Sequence, residues 1–185
     1  MVKDKGFTLP EIIMVVSIIL ILTSIVIANQ REGEKQFSLQ RSAHKLAQDL
    51  RATQEKAMGG VRFHGAFPQQ GYGVYFVENS NSYVLFADCD GDNEYDGEFL
   101  ACPDCSGASC IENVYSEKVE EFFLESGVMI SQLSPFSPLN ITFFPPDPTI
   151  TIKPESLDYQ ATTTLTFGGK TRTVTINTLG LIDID

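Results

Sequence analysis

The chain opens on an unbroken apolar run: after Phe7-Thr8-Leu9-Pro10-Glu11, the seventeen residues Ile12 to Ala28 carry no charge. A helix from Phe7 to Ala28, at 1.5 Å per residue, is roughly 33 Å long against a hydrocarbon core of about 30 Å, so the segment is predicted to span a bilayer. Many of its residues are β-branched (Ile12, Ile13, Val15, Val16, Ile18 and Ile19 among them) and form helix poorly in water. In lipid the backbone must satisfy its own hydrogen bonds, and helix is the outcome. From Asn29 to Met58 polar residues take over, yet Leu39, Ala43, Leu46, Leu50, Thr53 and Ala57 recur at steps of three and four. This is an amphipathic stripe, predicted to continue the helix and to lie against a sheet of the same chain. Gly33 is a soft point in it, and Gly59-Gly60 is the expected stop.

Beyond Gly59 the period shortens to two. Tyr72 to Val77, Tyr83 to Ala87, Val128 to Leu133, Asn140 to Phe144, Thr149 to Ile152, Ala161 to Phe167, Lys170 to Ile176 and Leu181 to Ile184 are β-rich and bounded by turn residues. Gly168-Gly169 between two threonine-rich strands predicts a tight hairpin, since both central residues can take positive φ. Val119 to Leu124 is ambiguous between a strand and a short helix. Ser134 to Pro148, with five prolines, is a loop-rich patch. The expected class is α+β: a long N-terminal α-helix, transmembrane in its first half and amphipathic in its second, packed on an antiparallel β-sheet head domain. Residues 7–28 form the transmembrane helix, 29–58 its amphipathic continuation, and 59–185 one globular domain, with neither repeats nor a linker.

Charge divides the chain along the same line. Residues 29–58 carry six basic and four acidic side chains, whereas from Gly59 onward there are eighteen acidic and five basic ones. With a net charge of -11, a nucleic-acid surface is disfavoured, because phosphate binding rests on clustered Lys and Arg. Between Asp88 and Glu98 every second position is acidic: Asp88, Asp90, Asp92, Glu94, Asp96 and Glu98. Such spacing can curl oxygens around a hard cation, calcium first, although the glycine at the fourth position and the early final glutamate rule out an EF-hand. The alternative is a solvated hairpin turn, since Asp, Asn and Gly are turn residues in their own right. Four cysteines, Cys89, Cys102, Cys105 and Cys110, fall within 22 residues. Disulfides are expected of an even number outside the cytoplasm, with three pairings open. A zinc site is the rival, but only Cys102 and Cys105 form a close ligand pair.

The junction before the apolar run carries the functional signal. A secretory signal places its cleavage site after the hydrophobic stretch; here the plausible scissile bond, after Gly6, lies before it, so cleavage would leave the helix on the mature protein. Lys3-Asp4-Lys5-Gly6-Phe7-Thr8-Leu9-Pro10-Glu11 resembles the leader and cleavage motif of the type IV pilin family, which includes the pseudopilins of type II secretion. The resemblance implies a leader of residues 1–6, cut after Gly6 by a prepilin peptidase that methylates the amine of Phe7. It also implies that Glu11 meets the Phe7 amine of a neighbouring subunit, registering helices in a filament. The plainer role for Glu11 is a carboxylate at a helix start, favoured by the dipole and close to the headgroups. Implied partners are other pilin or pseudopilin subunits, the peptidase, the membrane and an inner-membrane assembly platform.

Charges flanking the span do not fix its orientation, because Lys3 and Lys5 precede it but Arg31, Lys35, Arg41 and Lys45 follow. The cleavage motif implies that the head is extracytoplasmic. The phenylalanine-rich strand, the Asp/Asn/Gly turn and the closing Thr171 to Gly180 resemble the H-type minor pseudopilins and related minor pilins. Some relatives bind DNA through arginines after the last glycine; here Gly180 is followed by Leu181-Ile182-Asp183-Ile184-Asp185. No catalytic site is expected, since His44 and His64 lack a nucleophile motif and the acidic turn is expected to be wet. Two functions remain: a minor pilin or pseudopilin assembling through its helix, and a membrane-anchored adhesive or calcium-binding domain that enters no filament.

Overall fold

A computed structural model describes residues 6–97, 105, 117–146, 149–154 and 160–185, with 28–31 described as backbone alone. One helix, α1 (Leu9–Met58), runs through the apolar and amphipathic stretches and stays helical at Gly33. The chain nevertheless forms two compact units, Met1–Phe37 and Ser38–Asp185. In the first unit every described side chain from Gly6 to Ile27 is exposed, including Phe7, Leu20 and Ile21. α1 is long and apolar enough to cross a membrane. Its hydroxyls return to the helix, Ser17 Oγ donating to the Ile13 carbonyl at 2.8 Å and Thr23 Oγ1 to that of Ile19 at 2.7 Å. Among the described residues these hydroxyls therefore need no further partner in hydrocarbon.

In the second unit the predicted stripe is buried: Leu39, Ala43, Leu46, Leu50, Thr53 and Ala57 are at most 2 % exposed. Ser42 and Ala47, at 0 %, complete the inward face. The helix ends at the foreseen glycines. Gly60 takes φ +59, its N–H donates to the Ala57 carbonyl at 3.2 Å, and the Val61 N–H reaches that of Lys56 at 3.4 Å, the Schellman arrangement.

The strands are antiparallel as expected and make two sheets, a division the sequence left open. The first has the order β3 (Lys118–Phe123), β2 (Ser82–Asp88), β1 (Gly71–Phe76), β5 (Leu139–Phe144), β6 (Thr149–Lys153). The second runs β4 (Met129–Ser134), β7 (Gln160–Phe167), β8 (Lys170–Asn177), β9 (Ile182–Ile184). The ambiguous Val119–Leu124 segment is the edge strand β3, and Gly168 and Gly169 turn the β7–β8 hairpin with φ of +59 and +80. Residues from α1, the first sheet and the inner face of the second (Ile130, Leu165, Val174, Ile176) join in one core.

The faces of the first sheet have different partners. Tyr72, Val74 and Phe76, with Leu85, Ile141 and Phe143 beside them by register, face α1. Tyr83 Oη, on the same side, donates to Asp49 Oδ2 at 2.5 Å. Gly73, Tyr75, Phe86, Asn140 and Thr142 alternate onto the other side, and there the acidic loop lies.

Candidate functional site

The N-terminal site begins where helical geometry sets in. Thr8 caps α1, its carbonyl accepting the Glu11 and Ile12 N–H groups at 3.1 and 3.3 Å. The Glu11 carboxylate turns back to the Thr8 N–H at 3.5 Å. Thr8-Leu9-Pro10-Glu11 thus forms the returning half of a capping box, and within a single chain the Glu11 carboxylate meets its own helix start. An added Cβ at Gly6 would meet nothing within 4 Å, so nothing described in this chain requires glycine there. Phe7 is 79 % exposed, and with Glu11, Ile12, Val15 and Val16 it lines a shallow apolar recess of about 210 Å³.

The acidic site is built from the end of β2. Asp88 is buried at 0 % exposure, and its two carboxylate oxygens accept the N–H groups of Gly91 at 2.7 Å and Asn93 at 2.8 Å. Asp90 accepts the Asp92 N–H at 3.2 Å and Asp92 that of Glu94 at 2.8 Å, so the loop is a chain of Asx turns. Gly91 and Asn93, at φ +89 and +65, supply the left-handed bends. The loop is sewn to the sheet: the Tyr95 N–H donates to Asn140 Oδ1 at 3.2 Å, Thr142 Oγ1 donates to the Asn93 carbonyl at 3.4 Å, and the Tyr95 ring packs on Tyr75 and Phe86. The Asn93 side-chain oxygen is buried with no hydrogen-bond partner among the described residues.

Glu117, absent from the sequence-based candidates, completes the site. It is 2 % exposed, accepting the Cys89 N–H at 3.1 Å and the Asp96 N–H at 3.4 Å. Oxygens of Asp88, Asp90 and Glu117 lie within 4.8 Å of one another, and so do those of Asp90, Asp92 and Asp96. Glu94 is exposed and joins neither group, and Glu98 lies outside the described residues. The wet turn of the sequence reading is therefore dry at its root, because the loop folds back over the sheet. Burial pushes the Glu117 carboxyl up to about 8 and that of Asp88 up to about 6, with neighbouring carboxylates adding to both and the backbone N–H groups opposing. Asp96 is also raised, by burial first and then by Asp92 and Asp90.

Of the cysteines, Cys89 pairs with Cys105 in a disulfide, while Cys102 and Cys110 lie outside the described residues. Cys89 spends its thiol on that bond and is no zinc ligand. His44 is exposed on α1, and His64, also exposed, sits in a turn at φ +49. Its place among the carboxylates just ahead of a β-rich segment is the one local signal that could have drawn attention to Glu117; its approach to Asp88 depends on β2–β3 pairing, where the Ala87 N–H donates to its carbonyl at 2.9 Å.

Residues 1–27 match the family model for the prokaryotic N-terminal methylation motif. No curated protein and no solved structure matches the chain.

Proposed function

We propose that this chain, a type IV pilin-like subunit by its N-terminal methylation motif, is a minor pseudopilin or minor pilin. It is inserted in the inner membrane as a precursor, cut after Gly6, and drawn by its helix into a filament with the head outside the cytoplasm. The observation that carries this reading is the order of parts: the methylation motif with its Gly6-Phe7 junction stands in front of an apolar helix segment whose described side chains, to Ile27, are all exposed and whose first turn bears one carboxylate, Glu11. The self-capping of Glu11 adds a mechanism. Once Phe7 is N-terminal, a neighbour's ammonium can replace the Thr8 N–H at the carboxylate, exchanging a 3.5 Å bond from a neutral donor for one between opposite charges. The resemblance extends to H-type minor pseudopilins and to related minor pilins alike, so the reading covers either apparatus, a type II secretion pseudopilus or a type IV pilus. The role is structural, with no catalysis.

Mass spectrometry of membrane-extracted protein is expected to find a mature chain starting at N-methylated Phe7. Glu11→Ala is expected to abolish filament incorporation while leaving the head folded. An intact Met1, or incorporation unaffected by the alanine, would overturn the reading.

A second reading, a calcium-binding head on a membrane anchor, draws on the convergence of Asp88, Asp90 and Glu117. Calcium would neutralise carboxylates that form no ion pair among the described residues. Titrating the full chain in detergent with calcium is expected to raise its melting temperature in proportion to ln(1 + [Ca]/Kd). No shift at millimolar calcium removes the metal.

A further inference from the structure

The acidic loop is tightly built within itself and lightly held from outside. Its shortest bonds are internal, the Gly91 and Asn93 N–H groups reaching Asp88 at 2.7 and 2.8 Å and the Glu94 N–H reaching Asp92 at 2.8 Å. The bonds that tie it to its surroundings are longer: the Tyr95 N–H to Asn140 Oδ1 at 3.2 Å, Thr142 Oγ1 to the Asn93 carbonyl at 3.4 Å, and the Asp96 N–H to Glu117 at 3.4 Å. Against these ties stands a cost. Closing the loop gathers two buried acids, Asp88 and Glu117, with oxygens of Asp90 within 4.8 Å of theirs. Neither buried acid has an ion-pair partner among the described residues, and burying such groups without a counter-charge opposes the arrangement that brings them together.

What offsets that cost is covalent. Cys89, 2 % exposed, lies between Asp88 and Asp90, and its N–H is the donor that meets Glu117 at 3.1 Å. Its sulfur is bonded to that of Cys105, sixteen residues on, which packs against the core of the head. The cross-link therefore fixes the residue on which the two acids converge. Under the loop lies the aromatic side of the first sheet, where the Tyr95 ring covers Tyr75 and Phe86 at centroid distances of 5.1 and 5.7 Å. Lifting the loop would turn that side to water.

We propose that the Cys89–Cys105 bond is a redox latch: oxidised, it holds the acidic loop down over Tyr75 and Phe86, and reduced, it lets the loop lift and uncovers that side of the sheet. Closing the latch joins two thiols; their two protons and two electrons pass to a disulfide oxidant, RSSR, which leaves as two RSH. The inference rests on the reading of the head as extracytoplasmic, since thiols are kept reduced inside the cell. The loop then closes only once the head has crossed the membrane, and the acidic site is completed at the same step.

Hydrogen exchange on the full chain in detergent, with a calcium chelator present, tests the latch. The chain oxidised by glutathione disulfide is compared with the same chain reduced by a phosphine and with Cys89→Ser/Cys105→Ser, which removes this bond alone. Breaking the bond is expected to speed exchange at Gly91, Asn93 and Tyr95 at least about tenfold while the amides of β1 and β5 stay as slow as before, because the opening is local. Hydroxyl-radical labelling of the Tyr75 and Tyr95 rings should rise at least about threefold in the same samples. Loop amides unmoved by loss of the bond overturn the proposal, and so does a loss of protection shared equally by β1 and β5, which would make the bond a general brace. Should the serine pair not fold, reduction of the already folded chain decides, with alkylated peptides identifying Cys89 and Cys105 as the sulfurs released. Chain extracted from cells with a methylated Phe7 but with Cys89 and Cys105 as thiols would overturn the link to export. The subunit reading fails on other observables, the Phe7 start and the Glu11 dependence, which do not report the redox state.

Discussion

Glu117 shows how a buried carboxyl couples the acidic loop to solution conditions. Unfolded, it titrates at its ordinary value near 4.5; folded, burial holds its proton until about 8. Between those values the folded chain binds a proton that the unfolded chain has released, so stability is greatest below pH 4.5 and is lost as pH rises through 8. Asp88 adds a change of the same sign between 3.8 and about 6. The melting temperature of the metal-free chain is expected to fall from pH 5 to pH 8.5. Glu117→Gln, which keeps the shape and cannot ionise, should flatten that fall; a glutamine variant with the slope of the wild type would show that Glu117 is not the titrating group. Added calcium is expected to oppose the fall by favouring the ionised form.

At the scale of elements, close approach decides where strands can pack. Gly73, central in β1, has the Phe86 ring lying over it: an added Cβ would stand 2.4 Å from Phe86 Cζ and 3.0 Å from the Ile141 carbonyl. Gly73→Ala is therefore expected to destabilise the head by about 1–3 kcal/mol, read as a lower urea midpoint at unchanged slope. Gly73→Ala with Phe86→Leu should recover part of the loss; no recovery would place the strain elsewhere. Most elements were legible in the sequence because each has a local cause: the step of three and four from Leu39 to Ala57, the alternation of β7 and β8, the paired glycines at 168 and 169. The division into two sheets was not, because alternation says that a strand has two faces and not which strand lies beside it. The same limit hid Glu117. The Asx spacing from Asp88 onward is local and visible, but the carboxylate that closes the site arrives by strand pairing from a residue distant along the chain. Val119–Leu124 was ambiguous for a related reason, since an edge strand with Glu120 and Glu121 exposes too much charge to show a clean period of two.

For the molecule as a whole, the composition breaks at one place and the packing at another. Polarity and charge suggest a head that starts at Gly59, after the helix has ended. The compact unit starts at Ser38, because α1 gives the head Leu39, Ala43, Leu46, Ala47, Leu50 and Ala57. Truncating even one buried leucine to alanine costs about 2–5 kcal/mol, so losing Leu39, Leu46 and Leu50 together forfeits roughly 6–15 kcal/mol. That equals the whole stability of a typical domain, about 5–15 kcal/mol. A fragment from Ser38 to Asp185 is therefore expected to be monomeric and to unfold cooperatively, with near-ultraviolet circular dichroism and a single melting transition. One from Gly59 to Asp185 should show neither, and should aggregate through the uncovered side of the first sheet, where Tyr72, Val74 and Phe76 would face water. A cooperative transition in the shorter fragment would mean that the two sheets close on each other without the helix. The apolar stretch long enough to cross a membrane and the stretch that gives the head core residues belong to the same helix, α1. A head that unfolds therefore releases the second half of its own stalk.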